Sequence, residues 1–319
     1  MNESSVDDRE LLESAREAAG AGAEVHRALA DFRQSEWGEK GRADFVTEVD
    51  LEAERRIIRV LRERFPDHQL LAEEGTDGED LPAAGSAVRR AGGATSSAET
   101  AQAAGEGSRA PIRWIIDPLD GTTNWLHGYP EYAVSVAAED DVGLRVAVVL
   151  NSATGELFEA ARGSGSRRDG ERIRTSGVAS LRLALVGTGF PFKKLELLPP
   201  YLETFARVLR ETSGIRRGGA AALDLCDLAC GRLDAFWEYW LMPWDVAAGA
   251  LIVREAGGIF EPLAAPEPEP RRASSRAGSG ASAARPPGRG SGELRSGGFI
   301  AANAHLMDAF RALVTRGEG

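Results

Sequence analysis

This chain predicts a layered α/β fold, and two observations support that. Segments with helical periodicity alternate with short apolar runs of strand type along most of the length, and the breaks between them fall at Gly, Pro and Asp, where chains turn. Helices and strands interleaved in this way pack as helical layers against sheets. With 319 residues, 43% of them hydrophobic, the chain can bury a sizeable core as one large domain or two coupled ones.

The first element is a helix, with Leu11, Leu12, Ala15, Ala18, Ala19, Val25, Leu29 and Phe32 at three- and four-residue steps. A second helix is predicted from Leu51 to Phe65, with Ile57, Ile58, Leu61 and Phe65 on its apolar side. Asp50 stands where its N-cap belongs and Pro66 stops it. Gln69 to Ala72 reads as a short strand ending at Glu73-Glu74. Residues Ala83 to Ala110 are Ala, Gly and Ser with scattered charges; too few large apolar side chains remain to pack, which predicts a flexible surface insertion. Order returns with the strand Ile112 to Ile116, which delivers the chain into Asp117. Further strands follow at Tyr132 to Ala138, Leu144 to Leu150 and Leu157 to Ala161.

A second half begins near Leu183, with a strand at Ala184 to Val186 and helices around Tyr201 to Arg210 and Ala221 to Cys230. A strand at Ala235 to Glu238 and a helix from Asp245 to Ala256, ended by Gly257-Gly258, come next. A low-complexity stretch, Ala264 to Gly298, separates the strands Gly258 to Glu261 and Phe299 to Ala302, and a helix from His305 to Val314 closes the fold. The expected division is an N-terminal half, residues 1–185, with an insertion at 83–110, and a C-terminal half, residues 186–319, with an insertion at 264–298.

Composition narrows the function. A net charge of −11 argues against a surface that coats nucleic acid, which needs basic residues. An acidic protein can still handle phosphorylated substrates if metal ions supply positive charge locally. The only cysteines, Cys226 and Cys230, stand four apart in a helical pattern, a spacing that suits two buried thiols better than a disulfide or a metal site. Four scattered histidines make no zinc constellation. Any metal is therefore a hard one held by oxygen. No apolar run is long enough to cross a bilayer, and the acidic start has no secretory pattern, so the cytoplasm is the expected location.

Four acidic segments lie at junctions between elements: Asp44-Phe-Val-Thr-Glu-Val-Asp50, Glu73-Glu74, Asp117-Pro-Leu-Asp-Gly-Thr-Thr-Asn124 and Trp244-Asp245. In layered α/β proteins ligands gather at strand ends. In the third segment a strand ends at Asp117, Pro118 fixes the backbone, and Asp120 follows three residues on. Gly121 then permits a close turn, and Thr122 and Thr123 offer donors. Two carboxylates and a carbonyl aimed at one point suit a hard divalent cation, and the donors beyond them suit phosphate oxygens. The plainer alternative is a polar turn whose Asp residues cap backbone groups.

The run Asp117 to His127 resembles the signature of the inositol monophosphatase family. Asp44 to Asp50 is similar to that family's upstream Asp-x-Val-Thr-x-x-Asp element and Glu73-Glu74 to its paired glutamates. Trp244-Asp-Val-Ala-Ala-Gly249, followed by Glu255-Ala-Gly-Gly258, resembles its C-terminal signature. The motifs stand in the family's order from about residue 10 onward.

The resemblance implies a sugar-phosphatase-like αβαβα sandwich in two coupled halves and a Mg²⁺-dependent, often lithium-inhibited phosphatase acting on a small phosphorylated polyol or sugar. It implies metal ligands at Glu73, Asp117, the Leu119 carbonyl, Asp120 and Asp245. Glu73, with Thr122 and Asp50, would orient and deprotonate the attacking water. Substrate would meet Glu73, Leu119, Asp120, Gly121, Thr122, Gly219, Ala220, Ala221, Glu238 and Asp245. A homodimer is expected from the family alone, and nucleic acid is not an expected partner.

Each acid has a plainer reading beside this one. Asp50 could be a cap as well as a relay, Glu74 a solvated neighbour and Glu238 a surface charge at a strand end, while Asp224 and Asp227 read as structural. Ala220 departs from the family, whose members usually carry Ser or Thr there; the two insertions depart in length. The competing substrates are histidinol phosphate, fructose 1,6-bisphosphate and a nucleotide 3′-phosphate. A different class of function, a regulatory protein binding RNA or a transcription complex, has its only support in Arg271, Arg272, Arg276, Arg285 and Arg289, which make the second insertion locally basic.

Overall fold

A computed structural model describes residues 7–30, 38–41, 44–46, 48–75, 112–264 and 294–315. Phe32, the insertion at 83–110 and residues 265–293 of the second insertion lie outside these.

The elements run α1 (Asp8–Ala28), β1 (Gly38–Gly41), β2 (Asp44–Val46), α2 (Glu48–Arg64), β3 (Gln69–Ala72), β4 (Arg113–Asp120) and α3 (Thr122–His127). They continue through β5 (Ala133–Asp140), β6 (Gly143–Asn151), β7 (Leu157–Ala161), β8 (Gly165–Arg168), β9 (Glu171–Arg172), β10 (Leu185–Thr188), α4 (Leu198–Glu211) and β11 (Gly214–Arg216). The last are α5 (Ala221–Ala229), β12 (Ala235–Leu241), α6 (Pro243–Glu255), β13 (Gly258–Leu263), β14 (Gly297–Asn303) and α7 (Met307–Thr315).

Strands β3 to β9 form a seven-stranded sheet in sequence order, antiparallel except for the parallel pair β3 and β4. The second sheet has five strands in the order β11-β10-β12-β14-β13. Period-2 alternation sorts each strand between two cores. On β5, Val134, Val136 and Ala138 pack with Leu11, Ala15 and Ala19 of α1 and Ile57 and Leu61 of α2, while Ala133 and Ala137 face the middle of the molecule. There α5 and α6 fill the space between the two sheets, touching Val149 and Phe158 on one side and Phe236, Phe260 and Phe299 on the other. The far face of the second sheet, with Trp237 and Ile300, is covered by Tyr201 of α4 and Phe310 of α7. The result is a five-layer αβαβα sandwich.

Layer position explains the sequence of α6. Residues Val246 to Val253 are buried without a break, because a middle-layer helix has no solvent face. At its end the Glu255 carboxylate accepts from Gly163 N and Gly165 N, both at 2.8 Å, tying the helix to the turn between β7 and β8. Among the described residues no helix is long and apolar enough to cross a membrane.

Several boundaries differ from the sequence reading. Helix α2 begins at Glu48, so Asp50 is not its N-cap but lies in its first turn. Helix α6 begins two residues before Asp245. Strands β1, β2, β8, β9 and β11 are too short or too polar to show a period. Cys226 is buried, but Cys230 is only half-buried.

The α5–α6 contact depends on one residue without a side chain. A Cβ at Gly249 would come within 2.6 Å of Leu225 Cδ1 and 2.7 Å of its Cβ, so the helices can approach this closely only at glycine. Gly249→Val is expected to destabilise the fold by about 1–3 kcal/mol through overpacking. Gly20→Ala, in α1 with nothing within 4 Å of the new methyl, should be neutral or stabilising by about 0.5–1 kcal/mol. Urea denaturation of the two variants checks the contrast.

Candidate active site

Strand β4 is apolar from Trp114 to Ile116 and then ends on Asp117-Pro118-Leu119-Asp120. In a regular strand, residues 117 and 120 would point to opposite faces. Against β5 the register passes from Asp117↔Ser135 to Asp120↔Ala133, three residues opposite two, and this bulge turns both carboxylates to one side. Leu119 N donates to Asp117 Oδ1 at 3.0 Å and fixes that carboxylate. Gly121 follows at φ +92°, where a Cβ would meet Glu131 O at 2.8 Å, and the chain turns directly into α3. Thr122 Oγ1 stands 3.0 Å from Asp50 Oδ1 and 3.1 Å from Leu119 O. Its single proton can serve only one of these acceptors at a time.

The remaining groups arrive from other elements. Glu73 follows β3, its N–H donating to Ile116 O at 3.3 Å. Glu74 N donates to Oε2 of the fully buried Glu54 at 2.8 Å, which pins the same turn to α2. From the middle layer, Ala222 N at the start of α5 donates to Asp120 Oδ2 at 2.7 Å. At the start of α6, Asp245 Oδ2 accepts from Met242 N at 2.7 Å, the reach-back arm of a capping box. Glu238 leaves β12 just before a second bulge, Glu238↔Phe299 then Leu241↔Gly297. The extra residue is Trp240 at φ +69°, a left-handed conformation unusual for a bulky side chain. The Glu238 carboxyl fills the space that a Cβ on Gly189 would take.

These groups surround one cavity of about 580 Å³. Glu73, Asp117, Leu119, Asp120, Gly121, Thr122, Gly219, Ala220, Ala221, Glu238 and Asp245 all line it, and Asp50 reaches it through Thr122. Sequence reading missed the aromatic and basic rim: Phe190, Phe192, Lys194, Arg217 and Trp240. The Arg217 guanidinium lies over the Phe190 and Phe192 rings at 5.6 and 5.3 Å, and Lys194 Nζ lies 4.3 Å from the Trp240 ring centre. The available signal was the run Phe190-Pro-Phe-Lys-Lys194 directly after a strand. Asp224, read from the sequence as structural, also lines the cavity. Asp227 does serve a structural pair with Arg232 at 2.9 Å, whereas Asp224, one helical turn earlier, is buried at the cavity wall.

Crowding of acids dominates the electrostatics. Burial, then the charges of Glu73, Asp120 and Asp245, holds the Asp117 carboxyl well above its ordinary range. Burial and the Asp245 charge push Asp120 up to about 7, against the pull of the Ala222 and Ala221 amides. Burial and Asp245 likewise push Glu238 up to about 8, with Arg217 opposing. Among the described residues no three carboxylates, histidines or cysteines form a ready-made metal cage; the acids instead line the cavity walls.

Such a fold, with carboxylates converging from two sheets and two helix N-termini, defines a layered α/β protein whose site suits a hard cation and an oxyanion. The chain belongs to the inositol monophosphatase family, whose model matches residues 7–289. It is 43% identical over 246 residues to the Nus factor SuhB of Pseudomonas aeruginosa, covering 76% of this chain and 82% of that one. It is 40% identical over 224 residues to the Nus factor SuhB of Escherichia coli K12, covering 70% and 74%. The extragenic suppressor protein suhB of Bartonella henselae superposes with a TM-score of 0.73 at 32% identity, covering 96% of this chain and 99% of that one. The inositol monophosphatase of Anabaena superposes at 0.68 and 27% identity, covering 97% and 96%. Membership supports phosphatase chemistry of this superfamily and a site of metal-dependent type.

The departure at Ala220 has a structural meaning. Ala220 is the N-cap of α5 and its own side chain offers no acceptor; Asp120 supplies one to Ala222 N instead. Ala220→Ser should add a second acceptor at this end, beside that of Asp120, and raise stability by about 0.5–1 kcal/mol, read as a shift in the urea midpoint with an unchanged slope.

Proposed function

We propose that this chain is a Mg²⁺-dependent phosphate monoester hydrolase acting on myo-inositol monophosphate or a closely similar phosphorylated polyol. The observation that carries this reading is the convergence of Glu73, Asp117, Asp120, Asp245 and the Leu119 carbonyl on one cavity. Four carboxylates with only oxygen donors among them, two of which (Asp117 and Asp120) are pushed up by burial and by the charges of their acidic neighbours, fit a hard cation. The same five groups would hold magnesium. When bound, the ion supplies positive charge to the phosphate dianion and acidifies water.

The chain's own groups divide the remaining work. Thr122, its hydroxyl proton directed to Asp50 Oδ1, keeps a lone pair to accept a hydrogen bond from the attacking water. Glu73 takes the proton from that water as it attacks phosphorus in line, while the ester P–O bond breaks on the opposite side and its oxygen takes a proton from solvent to leave as the alcohol. The backbone around Gly121 and Thr122 faces the phosphate oxygens at the start of α3. Gly219, Ala220 and Ala221 line the wall that the alcohol part would meet, and Glu238 accepts a hydrogen bond from one of its hydroxyls. Water attacks directly, so no phosphoenzyme forms.

The rival esters within the same chemistry are histidinol phosphate, fructose 1,6-bisphosphate and a nucleotide 3′-phosphate. A second reading, binding within a transcription complex, draws support from the relatives named Nus factor SuhB at 40% identity and above. It would add to hydrolysis rather than replace it, since the proposed ligand set is complete in this chain. Homodimer formation, lithium sensitivity and a cytoplasmic location belong to the same proposal.

Phosphate release from myo-inositol 1-phosphate, beside the rival esters, tests the reading. Turnover is expected to need Mg²⁺ and to fall at least about a hundredfold in Asp120→Asn. Absence of turnover on every ester by a folded protein would leave the binding role in its place.

A pH prediction follows from the raised acids. Glu238 and Asp120 bind protons more tightly in the folded than in the unfolded chain. Their effect therefore favours the fold at low pH and is lost as pH rises through about 7 and about 8. In chelator, Tm should fall between pH 5 and 8.5 more steeply for wild type than for Glu238→Gln. Mg²⁺ should reduce the fall.

A further inference from the structure

Asp224 is the one acid lining the cavity to which the proposed function gives no role. It stands in the first turn of α5, is 6% exposed and lines the cavity wall. Among the described residues no hydrogen-bond donor reaches its carboxyl, although the three other buried or half-buried acids fixed by α5, α6 and β4 are each held by a main-chain amide. Its oxygens are not sealed in the core but open to the cavity, where an entering hydroxyl can take the place of water as their donor.

Its surroundings say which part of a ligand it would meet. The charge that acts on Asp224 most strongly is that of Glu238, followed by Asp120. Arg217 opposes them, so Asp224 stands within reach of both the proposed hydroxyl-binding glutamate and the acids of the ligand set. Both carboxyls are seated against glycines. A Cβ at Gly218 would lie 2.6 Å from Asp224 Oδ1, and Glu238 occupies the space beside Gly189. The backbone has thus been cleared twice, on β10's exit and before α5, to let two acids approach the same wall.

We propose that Asp224 is a substrate-binding residue that works with Glu238 to accept hydrogen bonds from two hydroxyls of a polyol phosphate. The pair makes the cavity selective for polyhydroxylated alcohols over phosphate esters whose alcohol part carries no further hydroxyl. An ester without those hydroxyls would leave both carboxyls unpaired, the situation in which polar sites discriminate most strongly. This inference rests on the phosphatase reading above.

The test compares myo-inositol 1-phosphate with phenyl phosphate, in Mg²⁺, for wild type, Asp224→Ala and the isosteric Asp224→Asn. Calorimetric binding of myo-inositol 1-phosphate and a thermal melt accompany the kinetics. Asp224→Ala is expected to raise KM and weaken binding for the inositol ester about tenfold, with kcat changed less than about threefold and phenyl phosphate kinetics unaltered. Asp224→Asn, which keeps one acceptor and the packing, should fall between. A loss shared equally by both esters, or no change in either, overturns the assignment while leaving the phosphatase reading intact. A wild type that neither hydrolyses nor binds the inositol ester overturns both.

Discussion

The cavity is built around a single constraint: several like-charged carboxylates must be held together at a junction between layers, and main-chain amides do most of the holding. Asp117 accepts from Leu119 N, Asp120 from Ala222 N and Asp245 from Met242 N. An amide fixes a carboxylate's position without neutralising it, whereas a Lys or Arg partner would cancel the charge that a cation is to meet. The bond from Ala222 to Asp120 does more, because it joins the end of a strand in the seven-stranded sheet to the helix that supports the five-stranded one. Site geometry and the docking of the two sheets are therefore set by the same contact.

Local backbone irregularities carry out the arrangement. The bulge at Asp117–Asp120 turns two acids to one side, and the bulge at Trp240 lets Glu238 face the cavity while Leu241 returns to the core. Both depart from the strand period that organises the rest of each sheet. Such departures concentrate where function is sought, since a regular strand places successive side chains on opposite faces. Helix α6 shows the complementary case: its buried body fixes Asp245 at one end and, through Glu255, the β7–β8 turn at the other. Glu255 belongs to the same C-terminal sequence signature as Asp245 yet serves packing, so the motif joins a site residue to a structural one.

Much of the site was legible because its residues cluster in short segments. Asp117, Leu119, Asp120, Gly121 and Thr122 are contiguous, Glu73 ends a recognisable strand, and Asp245 opens a recognisable helix. Residues that reach the cavity alone were harder to find. Asp224 sits among Leu223, Leu225 and Leu228 and reads as one polar position on an apolar helix. Which side of α5 faces the acids depends on how the helix lies between two sheets. The pairing of Asp50 with Thr122, 72 residues away, came from the family resemblance alone, because the local pattern around Asp50 reads only as a helix N-terminus.

Taken alone, the sequence determined the layered α/β class, the main helices and strands, and the acidic segments at their junctions, because periodicity and turn chemistry act over a few residues. Tertiary structure decided which of those acids share a cavity, that Asp117 and Asp120 point the same way, and that an aromatic and basic rim closes over them. Those outcomes depend on register shifts and on layer packing between residues far apart in the chain. A pattern of neighbours along the sequence does not encode them.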